Sequence, residues 1–302
     1  MPLEASDRAT RPVGAPADGA PMDDPVLIFL HLPKTGGTTL HAIIERHFPP
    51  GATLRVRNDT LDRFFALTDA QRRSLRYLSG HMPFGLHQWL PRPAEYITML
   101  REPVARAVSL YYYGLTDPGH PRHTRMVAEN VSLEGHAQMH GGNAMTRWLC
   151  GYYEGRQTWI GRWMPPDAAQ DALQRARHNL ATHFSVVGLT ERFDESLLML
   201  RRRFGWRRIF YVRENVTRGR PPREALPPET LRLIEGRNAL DIDLYAHAAR
   251  IFEAQLQEAG VTRSEALAFR SLNKALGALV RARRAVQPRR RIRALLKRRD
   301  AQ

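Results

Sequence analysis

Val26–His31 (VLIFLH) runs as one unbroken stretch of strand length, passes straight into the loop PKTGGTT, and continues from Thr38 to about His47 with helical spacing. A strand without polar alternation is covered on both faces, which places it inside a helix-flanked parallel sheet. Gly36 and Gly37 let the loop turn tightly, so that its backbone N–H groups close around an anion while the helix start adds partial positive charge. Pro33 opens this loop, Lys34 brings a mobile full charge, and Thr35, Thr38 and Thr39 bring hydroxyl donors. The lysine stands before the glycine pair, the reverse of the Walker order. The plain alternative is an ordinary strand-to-helix turn carrying an exposed lysine.

Further along, Tyr96–Leu100 (YITML) and Phe184–Gly188 (FSVVG) read as two more buried strands. Pro103 to about Leu115 is helical with proline in its first turn, and Thr190 is placed to cap a helix over Phe193–Phe204. A short strand with one or two helices is expected in 54–79, and loops with short helices in 116–165. One helix or two should follow Pro228, and a further helix over 263–299 should break near Pro288. Strands alternating with helices predict an α/β fold with a central parallel sheet. A second anion-binding candidate is LREPVARAVSLYYY at 100–113. Arg101 follows a buried strand at the sheet edge where such folds bind ligands, and Ser109 lies about two turns into the next helix. Together they offer a charged fork and a hydroxyl to a phosphate, unless Arg101 pairs with Glu102 or a neighbouring acid.

These two segments resemble, in order and separation, the sulfotransferases that use 3'-phosphoadenosine 5'-phosphosulfate. The flavour is that of the carbohydrate branch containing heparan sulfate 2-O-sulfotransferase, and of bacterial proteins similar to it. The resemblance implies a P-loop nucleotide-kinase-like sulfotransferase fold. It makes PKTGGTT (33–39) the 5'-phosphosulfate loop and puts Arg101 and Ser109 on the 3'-phosphate. In SGHMP (79–83) it gives His81 the position of the general base, a role suited to an imidazole acting on a poorly nucleophilic sugar hydroxyl. Ser79 stands where the 2-O enzymes carry a second histidine. In YVRENVTRGRP the resemblance suggests a loop over the donor nucleotide, with Arg213 and Thr217 as contacts. Should His81 not be the base, the candidates are His31, His87, His136 and His140.

His136 and His140 are spaced i, i+4 with His120 and His123 nearby, yet without an HExxH motif and with Cys150 the sole cysteine no metal is expected. Glu191 and Asp194 read as acids at a helix start, and Asp241, Asp243 and Tyr245 as packing residues of the C-terminal helix.

The charge is uneven. Residues 263–302 hold 13 Lys/Arg against Glu265 and Asp300, a net +11 of the chain's +16. This predicts a leader at 1–24, a sulfotransferase domain at 25–260 and a basic amphipathic helical tail at 261–302. The tail reads as a solvated extension, a contact for an anionic membrane surface, or a polyanion binder, with no specific nucleic acid expected. No apolar stretch is long enough to span a bilayer, the leader lacks a signal-peptide pattern, and one cysteine forms no internal disulfide. The expectation is a cytoplasmic setting, with peripheral contact at the inner membrane face. The acceptor should bear a hydroxyl, and Arg122, Arg125, His136, Arg147 and Arg156 lean towards an anionic sugar or lipid head group. Two rival classes stay open: a small-molecule or nucleotide kinase, and a non-enzymatic binder of membrane surfaces or nucleic acid.

Overall fold

The computed structural model describes residues 24–57, 60–139, 142–153, 156–157, 166–212 and 220–299, with backbone alone at 152–153, 156–157, 166–167 and 284–299. In chain order the first half gives β1 (Val26–Leu30), α1 (Gly37–Ile44), β2 (Thr53–Val56), α2 (Asp62–Phe65), α3 (Asp69–Ser74), β3 (Tyr77–Gly80), β4 (Ala94–Leu100) and α4 (Pro103–Thr116). The middle holds α5 (His123–Ala128), α6 (Leu133–Met139), α7 (Ala144–Leu149) and a small hairpin of β5 (Tyr152–Tyr153) and β6 (Arg156–Gln157). The rest is α8 (Pro166–His183), β7 (Phe184–Leu189), α9 (Phe193–Phe204), α10 (Pro228–Arg237), α11 (Ala239–Glu258) and α12 (Arg263–Arg299).

The main sheet has the order β2-β3-β1-β4-β7, with every pairing parallel. All five residues of β1 are buried, as its apolar run requires of a central strand. From β1 the chain moves out to β2, returns through β3, and then crosses to β4 and β7 on the other side. That reversal puts the loops after β1, β3 and β4 together at the carboxyl edge, the place where open α/β sheets hold ligands. Leu30 is in register with Gly80 on one side and Thr98 on the other. The Thr98 hydroxyl donates to the Leu30 carbonyl at 2.8 Å, which ties the ends of β1 and β4.

Two expectations change. Thr190 does not cap α9: it opens a short 3₁₀ turn, Arg192 occupies the N-cap, and the Thr190 hydroxyl is engaged elsewhere. Nor does the last helix break at Pro288; α12 runs through it. A proline removes one backbone donor, and the other turns of a long helix keep theirs.

Polar contacts lock the C-terminal helices to the helices and loops around the sheet. Asp241, fully buried on α11, accepts from the Met145 and Thr146 N–H groups and the Thr146 hydroxyl, and it pairs with buried Arg106 of α4 at 3.5 Å. Asp194 and Glu191 do more than begin a helix. Asp194 accepts from the Tyr211 hydroxyl and from Arg270 of α12, both at 2.8 Å. Glu191 accepts from the Glu102 N–H at 3.0 Å and the Tyr245 hydroxyl at 2.9 Å.

Candidate active site

The loop after β1 is shaped from within and braced from outside. Inside it, the Thr35 hydroxyl donates to the Leu32 carbonyl at 2.8 Å. Outside it, Arg101 donates to the Lys34 carbonyl at 3.2 Å, and Thr190 donates at 2.9 Å to the carbonyls of both Thr35 and Leu100. Lys34 itself holds φ +70°, a left-handed conformation uncommon outside glycine, which these braces maintain. Gly36 is the N-cap of α1, and no side chain caps that helix, so its first N–H groups are left for a ligand. Gly37 has no room for a side chain, because an added Cβ would sit 1.7 Å from the His31 ring.

Lys34 lies over the Tyr113 ring, its ammonium 3.7 Å from the centroid. Burial, followed by the positive charges of Arg220 and Arg101, lowers its pKa to about 8. Burial and the Arg220 charge likewise push the Arg101 guanidinium down. Among the described residues, neither Lys34 nor Arg101 has a carboxylate within ion-pair distance. Glu102, the alternative partner for Arg101, is engaged otherwise: it caps α4 through the Val104 and Ala105 N–H groups and pairs with Arg223 at 2.9 Å.

Ser109, buried on α4, accepts from Arg220 at 2.7 Å. Arg220 is the residue that reasoning from sequence passed over. Its signal was present in the RGRP of the segment assigned to a donor loop, but Arg213 and Thr217, the residues named there, lie outside the described ones. The segment that follows Arg220 is strapped to α4: Leu226 and Ile234 pack with Val104 and Val108, and Arg223 holds Glu102. Three cations and a hydroxyl therefore gather from three separate stretches of chain. Like charges drawn together in partial burial repel one another, and a multiply charged anion is what relieves them.

His81 follows β3 beside this loop. Gly80 holds φ +135°, and a Cβ there would lie 1.7 Å from the Val56 carbonyl oxygen. The bare backbone lets the His81 N–H donate to that carbonyl at 3.1 Å and the His31 N–H donate to the Gly80 carbonyl at 2.9 Å. The His81 Nδ1 lies 2.7 Å from the His31 carbonyl oxygen. A carbonyl only accepts, so Nδ1 carries the hydrogen, which leaves Nε2 as the ring position that takes up or gives up a proton. The ring packs on His31 at a centroid distance of 4.5 Å and edge-on to Trp148 at 5.9 Å. His31, within electrostatic reach of both His81 and Lys34, is held far below the usual imidazole pKa, first by burial and then by the His81 charge. Burial and Arg55 lower His41 to about 3.

Of the alternative bases, His31 is sealed in the core and His136, buried against Tyr111, is lowered to about 4 mainly by burial. His87 faces His183 in a separate cleft and approaches the Tyr96 hydroxyl at 3.0 Å, and His140 is outside the described residues. No group of three His, Cys, Asp or Glu among the described residues could hold a metal ion.

The galactose-3-O-sulfotransferase family model matches residues 3–295. The chain belongs to that family. Human galactose-3-O-sulfotransferase 3 is 28% identical over 263 residues, covering 77% of this chain and 57% of the relative. The mouse protein of that name is 30% identical over 264 residues with the same coverage, and human galactose-3-O-sulfotransferase 2 is 27% identical over 262 residues, covering 81% of this chain and 64% of its own. The chain thus spans about 57% of the length of the first of these relatives. A mouse sulfotransferase, SULT7A1, solved in complex with PAP, covers 84% of this chain and 90% of its own at 13% identity and a TM-score of 0.34, too distant a likeness to build on. Family membership bears out the resemblance to sulfotransferases carried by the two motifs. These matches carry the galactose-3-O name and do not bear on the heparan sulfate 2-O likeness.

Proposed function

We propose that this chain transfers a sulfuryl group from 3'-phosphoadenosine 5'-phosphosulfate to a hydroxyl of a galactose-bearing carbohydrate. The observation that carries the reading is the cluster of Lys34, Arg101 and Arg220 around Ser109, where burial and like charges lower Lys34 to about 8 and no carboxylate among the described residues stands within ion-pair distance of it. Such a cradle fits a ligand with anionic groups at two ends. In this reading the loop N–H groups, Lys34, Thr38 and Thr39 hold the phosphosulfate end. Arg101, Ser109 and Arg220 hold the 3'-phosphate and separate this donor from ATP. The family name supports a sugar acceptor, with galactose the proposed one.

The chemistry assigned to the side chains is proton removal and charge stabilisation. His81 Nε2 takes the acceptor's hydroxyl proton as that oxygen forms its bond to sulfur. Lys34 and the α1 N–H groups stabilise the electron pair left on the phosphate oxygen as its bond to sulfur breaks. The His31 carbonyl fixes the His81 tautomer and orients the ring. The lysine-before-glycine order of the loop favours this over the kinase alternative.

His81→Ala tests the assignment. Sulfuryl transfer should fall by about 100- to 10,000-fold, the range for a lost general base, with binding of adenosine 3',5'-bisphosphate almost unchanged. If transfer and nucleotide binding fall together, His81 is a binding or structural residue.

A further inference from the structure

Four of the large apolar side chains exposed among the described residues, Leu267, Leu272, Leu279 and Val280, lie on the single helix α12. The helix is anchored to the body by Ala266, Phe269 and Asn273, which are buried, and by the pair between Arg270 and Asp194. Past Gly277 the packing ends: every residue from Ala278 to Arg283 is exposed. At about 100° per residue, Leu272, Leu276, Leu279 and Val280 fall within an arc about 100° wide with Arg263, Lys274 and Arg281 on the opposite side, while Leu267 falls on that opposite side and Arg283 within the arc.

We propose that this free half of α12 lies in the surface of an anionic lipid bilayer, with the leucine arc in the acyl boundary and the arginines among the head groups. Charge complementarity decides the occupant. Residues 263–302 carry a net +11, so two copies of this helix repel each other, whereas acidic lipids attract it. Over residues 272–281 an apolar arc of that width opposite a basic face is the pattern of an interfacial helix, and the arginines that follow add charge on every side. None of the described helices is long and apolar enough to cross a membrane, so the contact is peripheral. This holds or fails independently of the sulfuryl-transfer reading.

The test is flotation of the full chain with phosphatidylcholine vesicles, with and without phosphatidylglycerol, at low and high salt. The expected result is binding to the anionic vesicles only, weakened by salt. Leu272→Ser and Leu279→Ser, neither of them a residue of the anion cradle, should each weaken binding by at least ~10-fold while transfer to a soluble acceptor stays unchanged. No flotation, or equal binding to neutral vesicles, overturns the proposal. So does binding that the serine variants leave intact, which marks adsorption by charge alone. Tighter binding to heparin or DNA than to anionic vesicles makes the helix a polyanion site instead. Concentration-dependent self-association abolished by the same serines makes it a dimer contact.

Discussion

Lys34 should take up a proton when the anion cradle fills. In the free protein its pKa is about 8, because burial and the charges of Arg220 and Arg101 disfavour the ammonium. A bound bisphosphate supplies negative charge beside the same group and returns its pKa towards the ordinary ~10.4 of lysine. The complex then holds more protons than the free protein between these two values. At pH 8 about half of the free Lys34 is neutral, so binding of adenosine 3',5'-bisphosphate should take up ~0.5 proton, against ~0.1 at pH 7 and ~0.9 at pH 9. The sign follows: affinity is greatest below pH 8 and falls as pH rises through it, by about tenfold between pH 7 and pH 9. The ligand's phosphates, with second pKa values near 6, and the low-pKa His31 and His41 do not titrate in that window. Isothermal titration calorimetry in buffers of different ionisation enthalpy counts the protons. Lys34→Arg, charged throughout, should bind without uptake and without the pH dependence. Zero uptake at pH 8 in the wild type, or the same uptake in Lys34→Arg, would refute the argument.

Arg220→Ala should weaken adenosine 3',5'-bisphosphate by about 10- to 100-fold in direct binding, the worth of a charged hydrogen bond to phosphate, and shift the midpoint of proton uptake upwards by removing a charge that depresses Lys34. Gly37→Ala, which drives a methyl into the His31 ring, should lower stability by about 1–3 kcal/mol in chemical denaturation and abolish nucleotide binding. Adding His31→Ala should recover much of the stability, since the three atoms nearest the added methyl all belong to that ring. Asp241→Ala leaves Arg106 charged and buried without its partner and takes the cap from α7, so the urea midpoint should fall by the equivalent of about 3–5 kcal/mol.

The short-range features were legible in the chain. A short apolar run bounded by turn residues reads as a strand covered on both faces, and β1, β4 and β7 lie where such runs occur, β1 and β4 inside the sheet and β7 at its edge. Pro103 marked the start of α4, and the glycine loop between β1 and α1 was readable because strand, turn and helix each obey rules that act within a few residues. Lys34, Arg101 and Ser109 were recognisable as candidates from their immediate neighbours, and His81 through the family resemblance that those two segments carry. What they touch was not. Thr190 reads as a helix cap because its local chemistry suits one, but the fold brings two carbonyls of other loops to its hydroxyl and spends it there. Arg220 stands 111 residues from Ser109 and meets it only because Leu226 and Ile234 bury themselves against α4. The tautomer of His81 rests on a carbonyl 50 residues earlier, delivered by the register of β1 with β3. Local propensity and pattern determine which elements form and which residues carry chemistry. Hydrogen bonds, charge clustering and desolvation depend on distances across the sheet edge, and only the packed chain sets those distances.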